Sequence, residues 1–168
     1  YGRLESSIAE AVERHPGRIY LLPAVRPDDL MPWTASADVS FVGQPPRTLN
    51  QKMNLPNKLF ESIMAGVPVV VSTGNEQCRL TSDEGIGTCV DIDDPAAIAA
   101  ACAELLTASP KDRRALRVHC REVELGKYTW DHTAVGLLEL YRKLAREDAR
   151  VGPGRSIREG ASPREVPV

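Results

Sequence analysis

The sequence has no long apolar run, no paired-cysteine motif and no excess of basic charge, and each absence closes off a class of function. Its hydrophobic stretches fall far short of the ~20 residues that span a bilayer, and no signal peptide is visible. The four cysteines, Cys78, Cys89, Cys102 and Cys120, include no Cys-x-x-Cys pair and have no histidine at zinc-ligand spacing. Reduced, mostly buried thiols are therefore expected, in the cytoplasm or at the inner face of its membrane. A formal net charge of −2, without a basic stripe interleaved with aromatics, gives no reason to expect nucleic acid as a partner. His15 precedes a proline at a helix end, and His119 and His132 fall on predicted helices without an evident nucleophile. A Ser–His–Asp arrangement thus has no support. No internal repeat is visible.

What is present is the composition of a soluble globular domain: 168 residues, 42% hydrophobic and 26% charged, enough chain for one core. The periodicities predict helix 4–15, strand 18–22, helix 28–36, strand 38–43, a loop over 44–55 and helix 56–65. Strand 67–72, a short helix near 76–82, strand 86–91 and helices 95–107 and 110–125 follow. A last helix opens at Trp130 and reaches Arg146, with Val135, Leu138, Tyr141, Leu144 and Ala145 spaced for burial. Such alternation implies the α/β class, a Rossmann-like parallel sheet with helices on both faces. From about Val151 the composition turns to Gly, Pro, Ser and Arg, so the domain is placed at 1–147 and a disordered tail at 148–168.

Residues 54–71 are the most informative. Pro56 suits the first position of a helix, because its missing N–H would be unpaired there. Leu59, Phe60, Ile63 and Met64 recur at helical spacing, Gly66 supplies a stop, and Val67 to Val71 read as a buried parallel strand. Lys58 and Glu61 sit in the first turns, off the apolar face. A helix N-terminus offers unpaired N–H groups and a partial positive charge, which suits phosphate. An acid just inside that end suits sugar hydroxyls better. On local grounds alone, Glu61 is equally readable as a first-turn acid stabilised by the helix dipole, and Lys58 as a solvated lysine.

Asn54-Leu-Pro-Asn-Lys-Leu-Phe-Glu61, with Ala65-Gly66 and Pro68-Val69-Val70 after it, resembles the donor-binding signature of retaining glycosyltransferases of the GT-B fold, glycosyltransferase family 4. Flanking segments resemble the same family in order: Gly17 to Pro23 its third strand, Asp28-Asp29-Leu30 the next helix start, Ala37 to Phe41 its fourth strand, and Tyr128-Thr129-Trp130 the entry to its last helix. The similarity covers roughly residues 1–145. It implies transfer of a sugar from a nucleoside diphosphate to an acceptor hydroxyl with retention, no cofactor beyond the nucleotide-sugar donor, and a carbohydrate or lipid-linked acceptor. It also implies that the N-terminal GT-B domain and the first two strands of this one lie upstream, since Tyr1-Gly2-Arg3 resembles the turn after the second strand. As a fragment, the chain would expose strand edges, fold poorly, bind donor weakly and be inactive alone.

By the same resemblance, Glu61 contacts ribose and Lys58 lies near the diphosphate, with Asn54, Leu55 and Asn57 approaching phosphate and the base lying on Pro23-Ala24-Val25. The family commonly carries a second glutamate eight positions before Glu61. Here that position is Met53, so Asn50, Gln51 and Lys52 become the possible sugar contacts, with Arg47 a weaker candidate. Asp91, Asp93 and Asp94 could suggest a metal, but Asp94-Pro95 reads as a helix cap and first-turn proline. No metal ligand and no catalytic residue is assigned. A nucleotide-sugar epimerase of the same fold, or a non-catalytic nucleotide-sugar-binding domain, are the alternatives.

Overall fold

A computed structural model of the chain describes residues 5–151. Helices α1 (Glu5–Arg14) and α2 (Pro27–Ala35) precede strand β1 (Ser40–Val42), and a short α3 (Leu49–Met53) with α4 (Asn57–Met64) leads into β2 (Val69–Ser72). Helix α5 (Glu76–Glu84), strand β3 (Gly87–Val90), α6 (Pro95–Thr107) and α7 (Pro110–Val123) follow. A π-helical turn over Glu124–Tyr128 and α8 (Trp130–Val151) come last. The chain divides into two compact units, Tyr1–Val123 and Glu124–Val168.

In the first unit the strands form a parallel sheet in the order β1-β2-β3, with Ser40 opposite Val69 and Val69 opposite Gly87. Strand β2 is central and every residue in it is buried, which explains its unbroken apolar run. Register sorts the side chains by face. Ser40, on the face of Val69 and Val71, has its hydroxyl 2.8 Å from that of Ser62 on α4. Cys89, on that same face, is bonded to α5. Val70 and Val90 point the other way and pack with Ala101, Ala97 and Ile98 of α6. Helices thus cover both faces, as the alternation predicts.

Two glycines are required by space. Gly66 takes φ of 69°, and a Cβ there would lie 3.0 Å from the Arg117 carbonyl oxygen, so it ends α4 and lets α7 approach. At Gly87 a Cβ would lie 1.9 Å from the Val69 carbonyl oxygen, so a side chain would force β3 away from β2. Helix ends follow local chemistry. The Asp94 carboxylate accepts from the N–H groups of Ala96 and Ala97, at 2.9 and 3.2 Å, with Pro95 as the first residue of α6.

Several expectations are corrected. Residues 18–22 form no strand: a strand exists through ladder bonds, and none reaches this segment among the described residues, where Tyr20, Leu21 and Leu22 are exposed. Loop 44–55 contains α3, nucleated by a capping box in which Thr48 Oγ accepts from Gln51 N and Gln51 Oε1 accepts from Thr48 N. Pro56 stands one position earlier than expected, as the extended N-cap of α4 (φ −73°, ψ 148°). Cys78 and Cys89 are not thiols but a disulfide, with Cα atoms 5.5 Å apart, because the register turns Cys89 toward α5. Cys102 and Cys120 are free, and burial pushes the Cys120 thiol up to about 11. Val135, Leu138, Tyr141 and Leu144 of α8, spaced for burial, are exposed among the described residues. Helix α8 also runs on through residues 148–151, and the rest of the expected tail lies outside the described residues.

Candidate functional site

The carboxyl ends of the three strands carry the loops that hold nearly all the candidate residues. In open α/β sheets this is the end where ligands are bound. Gln44, just beyond β1, is the hub. Its N–H donates to Ser72 Oγ at 3.0 Å, its carbonyl accepts from Ser72 and from Asn75 Nδ2, and its Oε1 accepts from Asn54 Nδ2 and Gln77 Nε2 at 3.0 and 3.1 Å. Asn75 Nδ2 also reaches Ser72 Oγ at 3.0 Å, while Asn75 Oδ1 caps α5 through the Cys78 N–H at 2.9 Å. Ser72 and Gln77 are fully buried. This network ties the loop after β1 to the turn after β2 and to α5, so residues 44–56 rest on a rigid polar floor. Arg47 extends the tie to the turn after β3 by pairing with Asp93 at 3.3 Å.

No side chain caps α4: the Leu59 N–H bonds to the Pro56 carbonyl at 3.0 Å, and the N–H groups of Asn57 and Lys58 lead the helix at the same end of the sheet. The helix is held from below: Leu59 and Ile63 are fully buried, and the Ser62 hydroxyl donates to the Lys58 carbonyl at 2.6 Å beside Ser40. Asn57 and Lys58 are exposed and Glu61 is half-buried. Among the described residues, neither the Lys58 ammonium nor the Glu61 carboxylate has a hydrogen-bond or ion-pair partner. A fixed helix end, an unpaired cation and an unpaired acid at this spacing can serve an anion and adjoining hydroxyls together.

The remaining candidates separate. Asn50 and Lys52 are exposed on α3, as is Met53, whereas Gln51 commits its Oε1 to the N–H groups of Arg47 and Thr48. Asn54 turns inward to Gln44, and Leu55 is half-buried. Val25 is half-buried in the irregular segment before α2. Asp91 accepts from the Asp93 N–H, and Asp94 caps α6, so these acids serve the turn. Among the described residues no group of three His, Cys, Asp or Glu side chains is placed to hold a metal. Sequence reading missed Gln44, Ser72, Asn75 and Gln77. Only Asn75, placed just before a helix, carried a local signal as a cap.

The family model described as glycosyl transferases group 1 matches residues 1–108. The chain belongs to that family. No curated protein matches it. Among solved structures it resembles sucrose-phosphate synthase from Thermosynechococcus elongatus, with a TM-score of 0.70 and 23% identity over 87% of this chain. The chain spans 35% of the length of that structure. The likeness is one of fold, and it places this group 1 chain with the Rossmann-like C-terminal half of GT-B proteins. Among the described residues no helix is long and apolar enough to cross a membrane.

Proposed function

We propose that this chain is the donor-binding part of a retaining glycosyltransferase that moves a sugar from a nucleoside diphosphate to an acceptor hydroxyl. The observation that carries the reading is the uncapped N-terminus of α4, with Lys58 and Glu61 unpaired above a buried polar floor. Helix N–H groups and the Lys58 ammonium would stabilise the departing diphosphate as its charge grows, and an ionised Glu61 would accept from two ribose hydroxyls. Asn50 and Lys52 remain available to the sugar, and Val25 to the base. The chemistry asks for electrostatic stabilisation of the leaving group more than for a strong base, and the acids near β3 are committed to turns. Activity is therefore expected to survive EDTA. The acceptor, a carbohydrate or a lipid-linked one, would be met together with an N-terminal GT-B domain.

The test is calorimetric titration of nucleoside diphosphates and their hexose conjugates into the protein and its Glu61→Gln variant. Loss of a charged hydrogen-bond acceptor, worth about 1.5–3 kcal/mol, should weaken binding about tenfold or more, with little change in melting. Unchanged affinity with a large loss of stability would instead make Glu61 a structural residue. A second reading, a nucleotide-sugar-binding domain without catalysis, is favoured by Met53, whose exposed thioether cannot replace a carboxylate toward a sugar hydroxyl. Binding of donor without turnover by the complete enzyme would select it.

A further inference from the structure

A second, differently built recess lies at the other end of the sheet, away from the strand ends that carry Lys58 and Glu61. It has a volume of about 470 Å³ and runs between the end of α4, at Ala65 and Gly66, and one face of α7. Four arginines of α7 line it: Arg113, Arg114, Arg117 and Arg121. Positions 114, 117 and 121 recur at helical spacing and form one stripe. We propose that this recess binds a phosphate group.

Charge and geometry carry the assignment. Arg113 pairs with Asp38 at 2.9 Å, which balances one of the four charges. Arg117 is held by two backbone carbonyls, those of Ala37 at 2.7 Å and Ala35 at 2.8 Å. Those bonds fix the guanidinium without neutralising it and leave three of its five N–H donors free. Arg114 and Arg121 are exposed and make no hydrogen bond or ion pair among the described residues. Three uncompensated positive charges therefore meet at one recess in a chain whose net charge is −2. Pro110, the first residue of α7, adds the positive end of that helix, which offsets the opposing dipole at the end of α4. A pre-positioned guanidinium flanked by two exposed, unpaired ones suits the tetrahedral, multiply charged oxygens of phosphate better than a single carboxylate. Nothing in this recess belongs to the helix end proposed for the donor, so the two readings stand or fall separately.

The test titrates inorganic pyrophosphate into the full-length protein at matched ionic strength, and in a second arm sediments it with phosphatidylcholine vesicles with and without phosphatidylglycerol. Three proteins are compared: the natural sequence, Arg114→Gln/Arg121→Gln, and Lys58→Ala. Because Arg114 and Arg121 anchor nothing internal, the double variant should melt like the natural protein. It should lose, at least about tenfold in affinity, the binding that persists in Lys58→Ala, where the α4 helix end no longer offers its cation to pyrophosphate. Saturable pyrophosphate binding with this pattern identifies a soluble phosphate ligand, and the same pattern with anionic vesicles alone identifies a lipid headgroup. Binding that is equal in the natural protein and the double variant, binding abolished by Lys58→Ala, or no binding in either arm overturns the proposal.

Discussion

Helices α4 and α8 carry the same kind of sequence pattern and end in opposite circumstances. On α4, Leu59 and Ile63 are fully excluded from water, and the helix seats against β1 and β2. On α8, Val135, Leu138, Tyr141 and Leu144 recur at equally good helical spacing, yet each is about half exposed. Periodicity reports that a face is apolar. It does not report what, if anything, covers that face. The short helix that is buried is the one that positions charged groups at a strand end, because burial of one side fixes where the other side points.

Substitutions can break this comparison or sharpen it. The largest effect is expected at Ile63→Ala, which leaves a cavity beneath α4. By the usual range for buried aliphatic truncation it should cost about 2–5 kcal/mol in urea unfolding, and should weaken the donor binding proposed above because the helix loses its seat. A loss below about 1 kcal/mol would mean that α4 is not anchored as described. Asp94→Ala comes next. It removes two bonds to backbone N–H groups at the start of α6, and a cost near 1 kcal/mol is expected, with Asp94→Asn restoring most of it.

Glu124, in the turn before α8, gives a test with a pH signature. Its side chain is buried and its Oε2 lacks a partner among the described residues; desolvation raises its pKa above the ordinary carboxylate value. A raised acid binds its proton more tightly in the folded state than in the unfolded one. Its burial is therefore harmless below the unfolded pKa, and stability falls as pH rises from there through the folded pKa. Glu124→Gln should flatten that part of the stability–pH curve and leave the neutral protein more stable. An unchanged curve would show that the carboxylate finds a charge partner in solution. The smallest effect is expected at Leu138→Ala on α8, within about 0.5 kcal/mol, as for exposed positions generally. A loss of several kcal/mol there would show that the α8 face is covered after all, and the contrast with α4 would disappear.

Legibility follows the range of the interactions. Asp94-Pro95 as a helix opening, Gly66 as a stop and Val69–Val71 as a buried strand were readable because cap, turn and strand signals lie within a few residues of what they control. The order β1-β2-β3 follows the common habit of parallel strands joined by crossover helices to lie side by side. Only tertiary structure decided the rest. The bonds from Gln44 to Ser72 and Gln77 span 28 and 33 positions, and the disulfide between Cys78 and Cys89 depends on which face of β3 meets α5. The same holds for residues 18–22, whose apolar content suits a strand but whose state is set by whether a ladder partner lies alongside. Local chemistry determines which elements a segment can form. Burial, pairing and charge balance are settled between segments distant in sequence, and there the sequence by itself is silent.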